Sequence, residues 1–136
     1  MAEVVAEGRS LVKRYGDNTV VNGIHFQIKR GECFGFLGPN GAGKTSTMKM
    51  MYGLSPVSGG ELHVLGLDVT TRSKEIKKRI GVVPQEDGLD VDFTVLENLL
   101  IYASYHNIAM GVAEKRAMDL LRFMSIEEKA NSPVDT

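Results

Sequence analysis

The sequence is poor in the features that mark secreted or membrane-embedded chains. It has a single cysteine, Cys33, so an internal disulfide cannot form, and it has no tryptophan. No apolar run approaches the about 18 residues that a membrane-spanning helix needs. The first residues include Glu3 and Glu7 and lack the apolar core of a signal peptide. We therefore expect a globular protein of a reducing compartment, with Cys33 a buried and unreactive thiol.

The charge balance argues against a nucleic-acid partner. Lysine and arginine total 16 and aspartate and glutamate total 17, which gives a net charge of −1. Nucleic-acid binding usually requires an excess of cations that neutralises phosphates. The densest basic cluster, residues 74–79, is typical of a solvated helix face. No spacing of cysteine and histidine indicates zinc, so we expect neither nucleic acid nor a zinc site.

Apolar patterning predicts a strand-rich first part and a helical second part, divided into residues 1–91 and 92–136. The predicted strands are residues 4–12, 19–29, 32–37, 61–65 and 80–83. The predicted helices are residues 43–51, 73–79 and 94–108, followed by an amphipathic helix with the stripe Ala113, Ala117, Leu120, Leu121 and Met124. A hairpin turn is predicted at Gly16. Runs 32–37 and 80–83 are short and apolar, which indicates buried strands. Thr94 and Glu97 form a capping-box pattern.

One segment has the spacing of a phosphate-binding loop. It reads Gly38-Pro39-Asn40-Gly41-Ala42-Gly43-Lys44-Thr45. Glycines allow successive backbone amides to curl around phosphate oxygens, and a helix beginning at Gly43 directs its positive end toward them. Lys44 supplies a cation for the outer phosphates, and the Thr45 hydroxyl supplies a ligand for Mg²⁺. The segment therefore predicts a nucleotide-binding site.

Around this loop, from about Leu11 to Thr136, the chain resembles the nucleotide-binding domain of ABC transporters. Residues 13–16 resemble the aromatic loop of that family, in which the ring of Tyr15 would stack on adenine. Residues 83–85 resemble its Q-loop, whose glutamine, here Gln85, reaches toward Mg²⁺ and the γ-phosphate. The segment at residues 93–99 is similar to the start of the family's helical subdomain.

The resemblance implies an α/β fold, a P-loop NTPase of the ABC type, truncated before the family's signature motif. Residues 1–91 would form the ATP-binding core and residues 92–136 the start of the helical subdomain. ATP and Mg²⁺ are the implied cofactors, Lys44 and Gln85 the implied catalytic residues, and Thr45 and Gln85 the implied metal ligands. The implied ATP-binding residues are Tyr15, Gly38, Pro39, Asn40, Gly41, Ala42, Gly43, Lys44, Thr45 and Ser46.

The pattern is most similar to exporter ATPases of the drug-resistance and nodulation-factor type. This implies an ATP-binding subunit that couples ATP binding and hydrolysis to export. The implied partners are a transmembrane permease subunit and a second nucleotide-binding domain in a head-to-tail dimer. The implied location is cytoplasmic, on the inner face of the cell membrane. The signature loop, the strand ending in Asp-Glu and the switch histidine would follow Thr136, so we expect this chain alone to hydrolyse ATP little or not at all.

Other readings of the sequence stay open. An ABC-type ATPase of DNA repair or translation agrees less well with the slightly acidic balance. A GTPase commonly carries an Asn-Lys-x-Asp motif, which this sequence lacks, and a small kinase is the related alternative. A truncated nucleotide-binding module without turnover also agrees with the sequence.

Overall fold

An antiparallel hairpin forms the framework of the first part of the chain. The computed structural model describes residues 3–84 and 88–134, and it divides into an N-terminal unit, Met1–Val82, and a C-terminal unit, Val83–Thr136. Strands β1 (Val4–Tyr15) and β2 (Asn18–Lys29) pair antiparallel around a turn at Gly16, whose φ is 57°. This confirms the predicted hairpin. The predicted boundary between residues 91 and 92 concerns the subdomains of the family and stays a prediction.

Two further strands and two helices complete the N-terminal unit. They are β3 (Gly59–Val64), β4 (Leu67–Asp68), α1 (Lys44–Met51) and α2 (Val69–Lys77). The sheet has the order β2-β1-β3-β4. Leu11 of β1 and Leu62 of β3 are fully buried together with Met50 of α1 and Ile76 of α2. Burial of these apolar side chains holds both helices against the sheet.

The two predicted buried strands are wrong. Neither residues 32–37 nor residues 80–83 form a strand, and Leu37 and Val83 are 98% and 96% exposed. Cys33 lies in the first run and is exposed, so the predicted buried thiol is also wrong. A strand exists only through hydrogen bonds to a neighbour. Among residues 3–84 and 88–134 no strand pairs with either run, so their apolar patterns find no partner.

The C-terminal unit is helical, as the sequence predicts. It contains α3 (Val95–Tyr105), α4 (Met110–Phe123) and a 3₁₀ turn (Glu127–Lys129). The capping box is confirmed, because Thr94 N donates to Glu97 Oε2 at 2.8 Å and Glu97 N donates to Thr94 Oγ1 at 3.3 Å. Within the part of the chain that the structure describes, no helix has the length and apolarity needed to cross a membrane.

The predicted stripe of α4 is right at three positions and wrong at two. Ala113, Ala117 and Leu121 are buried, whereas Leu120 and Met124 are 57% and 63% exposed. The buried residues recur every fourth position, which follows one side of a helix. Leu120 lies one residue off this row, and Met124 is the C-cap, where the helix ends.

A buried amide joins α3 to the residues that precede it. Asn98 is only 3% exposed. Its Oδ1 accepts a hydrogen bond from Asp90 N at 2.8 Å, and its Nδ2 donates to Asp90 O at 2.9 Å and to Thr94 O at 3.0 Å. The Tyr102 hydroxyl donates to Gly88 O at 2.6 Å in the same region. The Asn98 side chain therefore fixes the backbone at Asp90 and Thr94 against the start of α3.

We expect Asn98→Ala to loosen the start of the C-terminal unit. The substitution removes the acceptor for Asp90 N and the side-chain donor to Asp90 O and Thr94 O, all in part-buried contacts. The loss should be about 1–3 kcal/mol, which corresponds to an about 5- to 150-fold faster amide exchange in α3. Hydrogen exchange followed by mass spectrometry measures it. The control is Asn131→Ala, an exposed position; equal exchange in both variants would contradict the role of Asn98.

Candidate functional site

The glycine-rich segment folds as a turn that leads directly into α1. Ala42 N donates to Pro39 O at 3.2 Å, which closes the turn. Gly41 and Gly43 have φ values of 84° and 81°, in the left-handed region that side chains disfavour. Gly43 is the N-cap of α1, and its carbonyl accepts hydrogen bonds from Thr47 N at 2.8 Å and Thr47 Oγ1 at 3.0 Å. The glycines therefore determine where the helix begins.

Gly43 also lies unusually close to β2. A Cβ atom at this position would be 2.2 Å from Val20 O and 2.8 Å from Val21 Cγ2. Both distances are well below van der Waals contact, and one involves the backbone of a paired strand. Only glycine allows the start of α1 to rest against β2 in this way.

The first turn of α1 presents a set of unpaired backbone donors. Within residues 3–84 and 88–134, no group accepts a hydrogen bond from the amides of Lys44, Thr45 or Ser46, and no side chain caps the helix. The first turn also contains no acidic residue. Free amides at the positive end of a helix attract an anion with several acceptor oxygens. This geometry suits a chain of phosphates.

Lys44 reaches back over the turn. Its Nζ donates to Gly38 O at 2.6 Å and to Pro39 O at 2.7 Å. These bonds hold the ammonium against the start of the glycine-rich turn. An ammonium group has more donors than these two carbonyls use, so Lys44 can still donate to an anion.

The structure brings Tyr15 to the same region. Its hydroxyl lies 3.4 Å from Ser55 Oγ, and its ring is half-exposed. Hydrogen bonds to Ser55 first, and then to Ser46, lower the pKa of Tyr15 below its usual value, with a smaller effect from the charge of Lys13. Ser46 belongs to the first turn of α1, so this pKa shift indicates that the Tyr15 hydroxyl lies near the start of that helix.

The donor set agrees with a triphosphate and, in part, with Mg²⁺. The cradle around Gly43 has no room for a side chain, and the amides that follow it are unpaired. Thr45 is exposed and offers a hydroxyl oxygen, a type of ligand that Mg²⁺ accepts. Residues 3–84 and 88–134 contain no cluster of three or more histidine, cysteine, aspartate or glutamate side chains that could hold a metal ion. Gln85, the other predicted metal ligand and catalytic residue, lies outside the described residues, so its assignment stays a prediction.

Lys13 is a feature of the site that the sequence analysis did not single out. Its side chain is only 4% exposed, and its Nζ donates to Pro56 O at 2.7 Å. The same atom lies 4.7 Å from the centroid of the Tyr15 ring. The signal was present in the sequence, because Lys13 follows Leu11 at the two-residue spacing of one strand face.

Comparison with known proteins identifies relatives for most of the chain. The family model described as ABC transporter matches residues 21–136. The Nod factor export ATP-binding protein I of Burkholderia orbicola (strain AU 1054) is 48% identical over 126 residues, which cover 93% of this chain and 41% of the relative. The protein with the same name in Paraburkholderia xenovorans (strain LB400) is 45% identical over 136 residues, covering 98% of this chain and 44% of the relative. This chain therefore spans less than half the length of these relatives.

Solved structures show the same fold. An ATP-binding subunit of an ABC transporter superposes with a TM-score of 0.79 at 26% identity, over 95% of this chain and 54% of the other. A dimeric, post-hydrolysis ATP-binding cassette bound to ADP and phosphate superposes with a TM-score of 0.78 at 22% identity, over 96% of this chain and 62% of the other. The second likeness concerns the fold alone. Together they confirm the predicted fold class, a P-loop fold of the ABC type.

We expect Gly43→Ala to destabilise the N-terminal unit more than Gly41→Ala does. Both glycines have positive φ, so each substitution meets backbone strain of about 1–2 kcal/mol. Only at position 43 does the new Cβ also collide with a backbone carbonyl, since nothing lies within 4 Å of a Cβ at Gly41. Urea denaturation followed by circular dichroism measures both variants. Equal shifts of the midpoint would show that the contact with β2 is unimportant.

Proposed function

Because this chain belongs to the ABC transporter family, we propose that it forms the ATP-binding part of a transporter subunit that couples ATP binding and hydrolysis to export. The observation that carries the proposal is the start of α1, where unpaired amides and the Lys44 ammonium converge behind a glycine turn. The names of the relatives that contain "Nod factor export" support export as the process.

The phosphates of ATP would lie against the first turn of α1. Amides of residues 43–46 donate to phosphate oxygens, and the positive helix end stabilises their charge. Lys44 would turn one of its N–H groups to the outer phosphates while its bonds to Gly38 O and Pro39 O hold it in place. Mg²⁺, when bound, neutralises charge on the outer phosphates, and we propose Thr45 and Gln85 as the residues that hold it.

The adenine base would stack on the exposed part of the Tyr15 ring. Stacking of a base on an aromatic side chain is worth about 1–3 kcal/mol. The ring is 50% exposed and lies beside Ser46, close to the phosphate site. One short region of the N-terminal unit therefore offers contacts to both ends of the nucleotide.

We propose a permease subunit as the partner of the segment at residues 85–105. Leu89 and Val91 are 45% and 64% exposed, and Phe93 is 38% exposed, although acidic residues lie between them. Apolar side chains clustered on a surface are typical of a protein contact. Leu89 also lines an apolar cavity of about 220 Å³ in the C-terminal unit. A second nucleotide-binding domain, in a head-to-tail dimer on the inner face of the membrane, is the other partner that we propose.

A second candidate is a nucleotide-binding module without turnover. Phosphoryl transfer to water needs a positioned water molecule and stabilised charge on the γ-phosphate. By the resemblance to the family, a carboxylate orients the water and an opposing signature loop stabilises the charge, and the motifs that we recognise in residues 1–136 include neither. The exposed apolar residues Leu37 and Val83 also favour self-association of this chain over a closed active site.

We expect Tyr15→Ala and Lys44→Ala to have different effects on two ligands. Tyr15→Ala should weaken ATP about 5- to 150-fold, because stacking is lost, and should leave tripolyphosphate binding nearly unchanged. Lys44→Ala should weaken both ligands, because it removes a cation from the phosphate site. Isothermal titration calorimetry of the two variants measures both affinities. Parallel losses of both ligands in Tyr15→Ala would argue against base stacking and for a folding defect.

We expect this chain alone to bind Mg-ATP and to release little or no phosphate. The side chains that we assign to the outer phosphates and Mg²⁺ are Lys44, Thr45 and Gln85, and none of them is a general base for water. A phosphate-release assay at saturating Mg-ATP tests this, with Lys44→Ala as the control for contaminating ATPases. Turnover at about 1 s⁻¹ or faster, the usual range of enzymes, that disappears in Lys44→Ala would contradict the expectation. That result would favour Glu86 or Asp87 as a substitute carboxylate.

A further inference from the structure

The end of β1 is tied to the segment between α1 and β3 at four successive residues. We call this segment, residues 55–58, the strap. Ser58 N donates to Val12 O at 3.0 Å, Lys13 Nζ donates to Pro56 O at 2.7 Å, Arg14 N donates to Ser58 Oγ at 3.0 Å, and Tyr15 Oη lies 3.4 Å from Ser55 Oγ. Residues 52–54 connect the strap to α1, the helix at whose start we propose the phosphate site. The position of Tyr15 relative to that site is therefore set by these contacts.

Lys13 is the unusual member of this set. Its side chain is 96% buried by area, and none of the ion pairs among the described residues includes it. A buried ammonium without a carboxylate is unfavourable unless other groups replace water. Here Pro56 O accepts one hydrogen bond, and the Tyr15 ring lies 4.7 Å from Nζ, within the range of a cation–π contact. One carbonyl and the Tyr15 ring therefore take the place of water around the Lys13 ammonium.

We propose that Lys13 is a positioning residue for recognition of the nucleotide base. Its ammonium covers one face of the Tyr15 ring and fixes that ring against the strap, so that only the opposite face is available to a base. The inference rests on the proposed function of this unit as an ATP site. It goes further because it assigns the orientation of the stacking ring to a buried cation beneath it.

The contacts of Tyr15 would order its side chain before a nucleotide binds. The Tyr15 hydroxyl lies 3.4 Å from Ser55 Oγ of the strap, so the ring is held at its tip as well as on one face. A side chain that is already ordered loses less conformational entropy when a ligand binds. Removing Lys13 would free the ring, and ATP binding would then have to order it.

The main test compares ATP with tripolyphosphate in matched charge-removal variants. Lys13→Met keeps an unbranched apolar stem and removes the cation, while Lys74→Met removes an exposed cation on α2. We expect Lys13→Met to weaken ATP about 3- to 30-fold, the range of a desolvated cation–π contact, with tripolyphosphate unchanged. Lys74→Met should change neither ligand, and Lys13→Arg, which keeps the cation, should retain most of the ATP affinity.

A double-mutant cycle tests whether Lys13 acts through Tyr15. In a Tyr15→Ala background, Lys13→Met should cause no further loss of ATP affinity, because the ring that it orients is gone. Additive losses would overturn the positioning role. If the unmutated chain binds ATP and Lys13→Met binds it equally well, the positioning role is wrong and the proposed function stands. If the unmutated chain binds neither ATP nor tripolyphosphate, the proposed function itself fails, and base recognition fails with it.

A nucleotide-free measurement covers the case in which Lys13→Met does not fold. In NMR spectra of the unmutated chain, the Lys13 ε-methylene protons should be shifted upfield by the ring current of Tyr15. They should also show cross-relaxation with its ring protons, because Nζ lies 4.7 Å from the ring centroid. Resonances at random-coil positions without these contacts would overturn the proposal whatever the ATP affinity.

Discussion

The close approach of Gly43 to the carbonyl of Val20 constrains the whole N-terminal unit. With 2.2 Å between that oxygen and an imagined Cβ, the start of α1 touches the backbone of β2 directly. The helix then continues inward to Met50, which is fully buried against the sheet. Because one end is fixed by a backbone contact and the other by the core, the free amides of the first turn have a defined direction. An anion site made of backbone atoms requires this kind of support.

A second set of contacts relates the aromatic ring to that site. The strap lies a few residues after α1 and runs along the end of β1, where it contacts each residue from Val12 to Tyr15. Most of these contacts are hydrogen bonds between groups that water also reaches, and each contributes modestly. Lys13 differs because it is buried, so its loss would be felt more strongly than that of an exposed partner. The two halves of the proposed site thus depend on one helix and the segment that follows it.

Local signals in the sequence predicted the local parts of the fold. The turn at Gly16, the capping box of Thr94 with Glu97, and the glycine loop before α1 each depend on residues that are neighbours in the chain. Such features need little tertiary context, because their hydrogen bonds close within a few residues. In the glycine loop, the positive φ angles at positions 41 and 43 are ones that glycine adopts without strain.

The failures have a common physical origin in long-range contacts. Residues 32–37 and 80–83 have the composition of buried strands, but a strand is stabilised by partners that its own sequence does not specify. Cys33 is exposed for the same reason, since it shares the first run. Lys13 was overlooked because lysine is rarely buried, although its place on the face of Leu11 indicated that its side chain points inward. Its carbonyl partner, Pro56, is distant in the chain and comes close only on folding.

The measurement that tests the account most directly is a map of backbone amide shifts on addition of Mg-ATP. An NMR titration of the ¹⁵N-labelled chain reports each amide separately. The account predicts the largest changes at residues 41–46, where the amides of Lys44, Thr45 and Ser46 have no acceptor among the described residues. Smaller changes should follow at Tyr15 and the strap, while α4 stays unchanged. Saturable binding that leaves residues 41–46 unshifted would contradict the account, because the nucleotide would then be held by a different surface.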